Sequence, residues 1–77
     1  MYYTISEEQL KRLENDFTYH EPHGDQTERY EGIRNAAMRY AEYLIVRCPP
    51  SRELSLALTH IEEAMMLANA SIARNEA

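Results

Sequence analysis

The sequence predicts an all-α fold: a short N-terminal helix followed by a long antiparallel helical hairpin, the whole oligomeric. Three observations predict it. Leu54, Leu58, Ile61, Met65, Ala68 and Ile72 recur at alternating steps of four and three, the heptad seam of a packed helix pair. Pro49-Pro50-Ser51 separates that segment from an equally long one, and so short a link folds two helices back antiparallel. Finally, Tyr43, Val46, Leu56, Met66, Leu67, Ala70 and Ala73 lie off the seam, giving more apolar surface than one hairpin can bury.

Each element has its own justification. The first helix is expected over about 5–17, its first turn closed by a capping box of Thr4 with Glu7 or of Ser6 with Gln9. Glu7 and Glu8 favour the positive end of its dipole, and Leu10, Leu13 and Phe17 give it one narrow apolar stripe. So short a helix is marginal alone and must dock on something. Met1 to Tyr3 are either loose or, through Tyr2 and Tyr3, packed on a neighbouring subunit.

Residues 18–25 read as a loop, in which Pro22 draws Glu21 toward an extended conformation and Gly24 supplies a positive φ. Asp25 is the expected N-cap of the second helix, with Glu28 at the capping-box position. That helix is expected over about 26–48, with Tyr30, Ile33, Ala37, Tyr40 and Leu44 along its seam. Gly32 sits inside it at a cost of up to ~1 kcal/mol relative to alanine. It marks either a close approach by backbone or ligand, or a mild bend. After the turn at 49–51, Ser51 caps a third helix over about 52–73, with Glu53 in its first turn. The chain is read as a single domain over residues 1–77.

Composition sets further bounds. A chain of 77 residues buries a small share of its surface and needs outside support. Cys48 is its only cysteine, which precludes an intrachain disulfide and fits a reducing compartment, and no Cys/His cluster has structural-zinc spacing. Self-association is the support that is left. A net charge of −5 argues against a protein that coats DNA or RNA, although a small phosphate ligand needs only a few local cations. No signal peptide or membrane span is expected, since the longest apolar run covers only Tyr43 to Val46.

Candidate chemistry concentrates in Phe17 to Arg34, FTYHEPHGDQTERYEGIR. Its aromatics stand close to Arg29 and Arg34, a pairing suited to a flat anionic ligand such as a nucleotide. The alternative is that Phe17 and Tyr19 plug the open end of the hairpin. Arg34 is set either for a bidentate phosphate contact or for an ordinary helix-surface role, pairing with Glu31 or packing on Met38. His20 and His23 form a His-x-x-His pair without a fixed third partner, so no metal is expected; a hydrogen bond within the loop or to ligand is the reading for His20. Asn69, Arg74 and Asn75 form either a second polar pocket or a solvated last turn. With no nucleophile–base pair, no glycine-rich phosphate cradle and no metal set, neither an enzyme nor a cofactor is expected.

The same segment, with CPPSRELSLAL and EEAMMLANASIARNE following in order, resembles a family of small phage proteins: the anti-CBASS sponges, whose hairpin domain also occurs in anti-Thoeris sponges. The similarity spans Asp16 to Glu76. It implies a hexamer in the host bacterial cytoplasm that binds cyclic oligonucleotide signals without cleaving them. Cyclic dinucleotides would lie between protomers and cyclic trinucleotides near threefold axes. The implied ligand-binding set is Tyr19, stacked on a base, with His20, His23, Gly24, Arg34, Asn69 and Arg74. Relatives often carry Lys at the position of His23 and Trp at that of Leu67, departures that bear on phosphate binding and on packing of the last helix. A rival from another class is a helical-hairpin adaptor that binds a partner protein through its second apolar face.

Overall fold

Three helices, α1 (Glu7–Phe17), α2 (Gln26–Arg47) and α3 (Arg52–Asn75), make up the computed structural model, which describes residues 2–76. Met1 lies outside the described residues; Tyr2 and Tyr3 precede α1 in irregular backbone and are exposed. α2 and α3 pair along their lengths as an antiparallel hairpin, and no strand occurs among the described residues.

Local chemistry sets each boundary. Of the two possible capping boxes, Ser6 with Gln9 forms: Gln9 N donates to Ser6 Oγ at 3.1 Å and Ser6 N to Gln9 Oε1 at 3.0 Å. α1 therefore begins at Glu7 rather than near residue 5. α2 stops at Arg47, one residue short of the sequence expectation, because Cys48 precedes a proline and takes an extended conformation (φ −117°, ψ 141°). Ser51 caps α3, its Oγ accepting from Leu54 N at 3.1 Å. α3 runs two residues beyond the expected end at 73, Asn75 Nδ2 donating to the Ser71 carbonyl at 2.9 Å.

Asp25 departs from expectation. It occupies the N-cap position of α2 without capping through its side chain; its carboxylate turns to Arg29 Nε at 3.2 Å instead. The turn is held by the neighbouring residue, Gln26, whose Oε1 accepts from His23 N and whose own N donates to the His23 carbonyl, both at 3.1 Å. Gly24, at φ +58°, supplies the positive φ expected of it.

The seam is only half-buried. Ile33, Ala37 and Leu44 of α2 face Leu54, Leu58, Ile61, Met65, Ala68 and Ile72 of α3, and none of them is fully enclosed. Tyr40 is 56% exposed and lies at the seam's edge, while Ala41 is half-buried. The stripe of α1 (Leu10, Leu13 and Phe17) is exposed along its length. The molecule is a thin plate of 48 × 42 × 13 Å, and its radius of gyration of 17.0 Å exceeds the roughly 11–12 Å of a compact chain this long. The sole fully buried residue among those described is polar, Gln26, at 3% exposure.

The two glycines invite opposite outcomes. Among the described residues nothing beyond the chain neighbours and the helix's own backbone lies within 4 Å of a Cβ built on Gly32, whose backbone is helical, so Gly32→Ala should stabilise the chain by up to ~1 kcal/mol. Gly24→Ala forces an L side chain to positive φ and should destabilise by about 1–2 kcal/mol. Urea unfolding of the two variants checks both signs.

Candidate functional site

The loop between α1 and α2 crosses the open end of the hairpin, and there Tyr19, His20, Arg34, Asn69 and Arg74 line one hollow of ≈ 400 Å³. Tyr30, Pro22, Ala70 and Ala73 supply its apolar wall. Each contributor is placed by a different element. The loop brings Tyr19 and His20, α2 brings Tyr30 and Arg34, and the last turns of α3 bring Asn69 and Arg74. The size matches the roughly 300–1,000 Å³ of small-molecule sites, and the hollow is open on one side.

Tyr19 is 81% exposed and Phe17 85%, so neither plugs the hairpin within this chain, and the ring of Tyr19 stands free to stack. His20 is tied back: its Nε2 donates to the Asn15 carbonyl at 2.8 Å. The two guanidinium groups differ. Arg74 is engaged, with Nε 3.6 Å from Asp16 Oδ1 and Nη2 donating to the Asp16 carbonyl at 3.4 Å. Arg34 makes no hydrogen bond or ion pair among the described residues, and the surface pair with Glu31 does not form. Among the described residues Asn69 Oδ1 is a buried acceptor without a partner, while its Nδ2 approaches Met65 Sδ at 3.7 Å. An unsatisfied buried carbonyl is costly.

Two expectations about grouping change. Asn69 and Arg74, expected either in a second polar pocket or in a solvated last turn, line the same hollow as Tyr19 and Arg34, because α3 ends beside the loop. Asn75 does not join them; it lines a separate polar depression with Arg12, Asn15 and Ser71, which Arg74 also borders. His23 and Gly24 fall outside the hollow. His23 Nε2 donates instead to the Glu76 carbonyl at 3.1 Å, so the two histidines of the His-x-x-His pair serve different backbone carbonyls. Among the described residues, no three His, Cys, Asp or Glu side chains are grouped to hold a metal ion.

Sequence reasoning missed the cluster beneath the loop. Arg29 grips both carboxylate oxygens of Glu76, Nη1 to Oε2 at 3.0 Å and Nη2 to Oε1, while Gln26 Nε2 reaches Oε1 at 3.4 Å. Arg29 and Glu76 lie 47 residues apart, and only their opposite charges hinted at the pairing. The hydrogen bonds from Arg29 hold the Glu76 carboxyl below its usual range, against desolvation, with Gln26 and the charges of Arg29 and His23 assisting. Glu76 in turn pushes the Arg29 guanidinium above its usual value, with Asp25 adding and desolvation opposing.

Fold and site together define a helical-hairpin protein with an open, aromatic and cationic hollow at the hairpin's free end. The chain belongs to the family described as Acb2/Tad1, hairpin domain, whose model matches residues 9–73. That family is known for binding rather than catalysis, and the match is consistent with a sponge-type hairpin domain. No curated protein and no solved structure matches the chain. No helix among the described residues is long and apolar enough to cross a membrane.

The depressed Glu76 carboxyl predicts a pH effect of fixed sign. Below the usual carboxylate range the unfolded chain binds a proton that the folded chain still excludes, so folding is favoured less as pH falls. The contribution is complete above the unfolded value and is lost as pH falls through the lower folded value. Glu76→Gln should therefore flatten the acid limb of the stability profile and leave its shape near neutral pH unchanged, as measured by urea unfolding across pH.

Proposed function

We propose that this protein binds cyclic oligonucleotide second messengers, cyclic dinucleotides foremost, and holds them intact so that host CBASS effectors are not activated. The observation that carries the reading is the meeting of a free Tyr19 ring and an unpaired Arg34 in one hollow. A purine stacks on the tyrosine and a phosphate takes the arginine fork. Neither element of this recognition requires a nucleophile or a metal. Family membership supports the same assignment and, with it, a phage protein acting in the cytoplasm of its bacterial host.

The hollow is one wall of a site that a second protomer completes. Support comes from the absence of any fully buried apolar side chain among the described residues and from the open mouth of the hollow. The assembly proposed is a hexamer. A second reading, an adaptor for a partner helix, is favoured by one observation: a groove of ≈ 580 Å³ lined by Ile33, Ala36, Ala37, Tyr40, Ala57 and Ala64 among others. In a hexamer this groove is filled by copies of the chain; in an adaptor it is free in the purified protein.

Native mass spectrometry with a panel of cyclic di- and trinucleotides tests assembly and ligand together. A hexamer with bound cyclic nucleotide, recovered chemically unchanged after heat denaturation, is expected; analytical ultracentrifugation at micromolar concentration should agree. A folded monomer would overturn the assembly, and a linearised product formed in proportion to protein would overturn sequestration.

Tyr19→Ala and Arg34→Ala should each weaken cyclic-dinucleotide binding by about 1–3 kcal/mol, roughly five- to 150-fold, without unfolding the hairpin. Arg34→Lys keeps the charge without the fork and should fall between wild type and Arg34→Ala. Calorimetry reads the affinities and circular dichroism the fold. Assembled alanine variants that bind like wild type would show that the site lies elsewhere.

A further inference from the structure

The loop that presents Tyr19 and His20 is fastened at both shoulders to the same short stretch of chain. On the α1 side, Asn15 Nδ2 donates to the Arg74 carbonyl at 3.1 Å and Arg74 reaches Asp16. On the α2 side, Arg29 forks onto Glu76, Gln26 Nε2 touches the same carboxylate, and His23 Nε2 bonds the Glu76 carbonyl. Asp25 completes this shoulder by bonding Arg29 Nε. Both anchors, Arg74 and Glu76, lie beyond residue 73, where the family match ends.

We propose that Arg29 and Glu76 are positioning residues for the ligand site, fastening the loop to the end of α3 so that Tyr19 and His20 are held ready before ligand arrives. The proposal rests on the nucleotide-binding reading of the hollow. Neither residue lines the hollow, and neither belongs to the apolar seam or the Pro49-Pro50 turn that pair α2 with α3. Their link joins the first turn of α2, just after the loop, to the cap of α3, and His23 of the loop bonds the carbonyl of the same Glu76. A bidentate arginine–carboxylate contact fixes orientation as well as distance, and a loop already in its bound form avoids an ordering cost on binding. Gln26, buried beneath the link, is the neutral residue that lets this charged pair close over the turn.

The test uses the full chain with cyclic di-AMP and cyclic di-GMP, titrated separately, and hydrogen exchange on the free protein. Glu76→Gln and Arg29→Gln remove one charge each at nearly constant size. Each should weaken binding roughly three- to tenfold, and Arg29→Lys should weaken it less. Amides of residues 18–25 should exchange faster in the Gln variants, while those in the middle of α2 and α3 stay protected. In a Tyr19→Ala background Glu76→Gln should add little further loss, because it acts through the loop. Wild-type affinity in both Gln variants, unchanged loop exchange, or fully additive losses with Tyr19→Ala would each overturn the proposal. Should the wild-type protein bind neither probe, the reading of the hollow fails. Loop exchange in Glu76→Gln then decides the fastening alone: faster exchange confined to the loop supports it and unchanged exchange overturns it.

Discussion

Heptad packing between α2 and α3 is the interaction on which every other feature leans, and it is incomplete within one chain. The seam brings small and branched residues together, yet leaves each side chain of Ile33, Leu44, Leu58 and Ile61 half-buried. Two helices in a plate 13 Å thick have no third layer to cover them. Hydrophobic burial scales with the area removed from water, so a seam of this kind supplies only part of what a folded chain needs. The apolar stripe of α1, left facing outward, has the same origin.

Where burial is scarce, polar contacts set the details. At the free end of the hairpin Gln26, Arg29, Glu76, His23 and Asp25 form one connected group, and Asn15, Asp16 and Arg74 form another. The loop hangs between them. This arrangement puts Tyr19 and Arg34 in the lining of one hollow. Arg29 and Arg74 are occupied by carboxylates, which leaves Arg34 as the guanidinium of the hollow with coordination to spare.

Much of the fold was legible because it is written in local or periodic signals. Ser51, Pro49 and Pro50 mark a turn through backbone chemistry alone, and the seam of α3 follows from spacing. Small boundary errors came from pairs of adequate signals in competition: Ser6 with Gln9 prevailed over Thr4 with Glu7, and the pre-proline constraint at Cys48 ended α2 early. The site was legible in part. Tyr19, His20 and Arg34 stood out because the loop concentrates unusual side chains. The merger of Asn69 and Arg74 into the same hollow, and the exclusion of His23 and Gly24, depend on how far α3 runs past the loop. That is a matter of relative helix length across the hairpin, which no local pattern encodes. Asp25 misled because an acid before a helix reads as a cap, whereas here a nearby arginine competes for it.

The hairpin is consequently closed by different means at its two ends. At Pro49-Pro50 the closure is covalent and conformational, indifferent to dissolved ions. At the other end partly exposed charges join α2 to the cap of α3 through Arg29 with Glu76, and α3 to α1 through Arg74 with Asp16, and their attraction is screened over about 10 Å at 0.1 M ionic strength. Added electrolyte thus acts on the molecule as on a pair of tweezers, stiff at the pivot and slackening at the tips, and the tips are where Tyr19 and Arg34 stand.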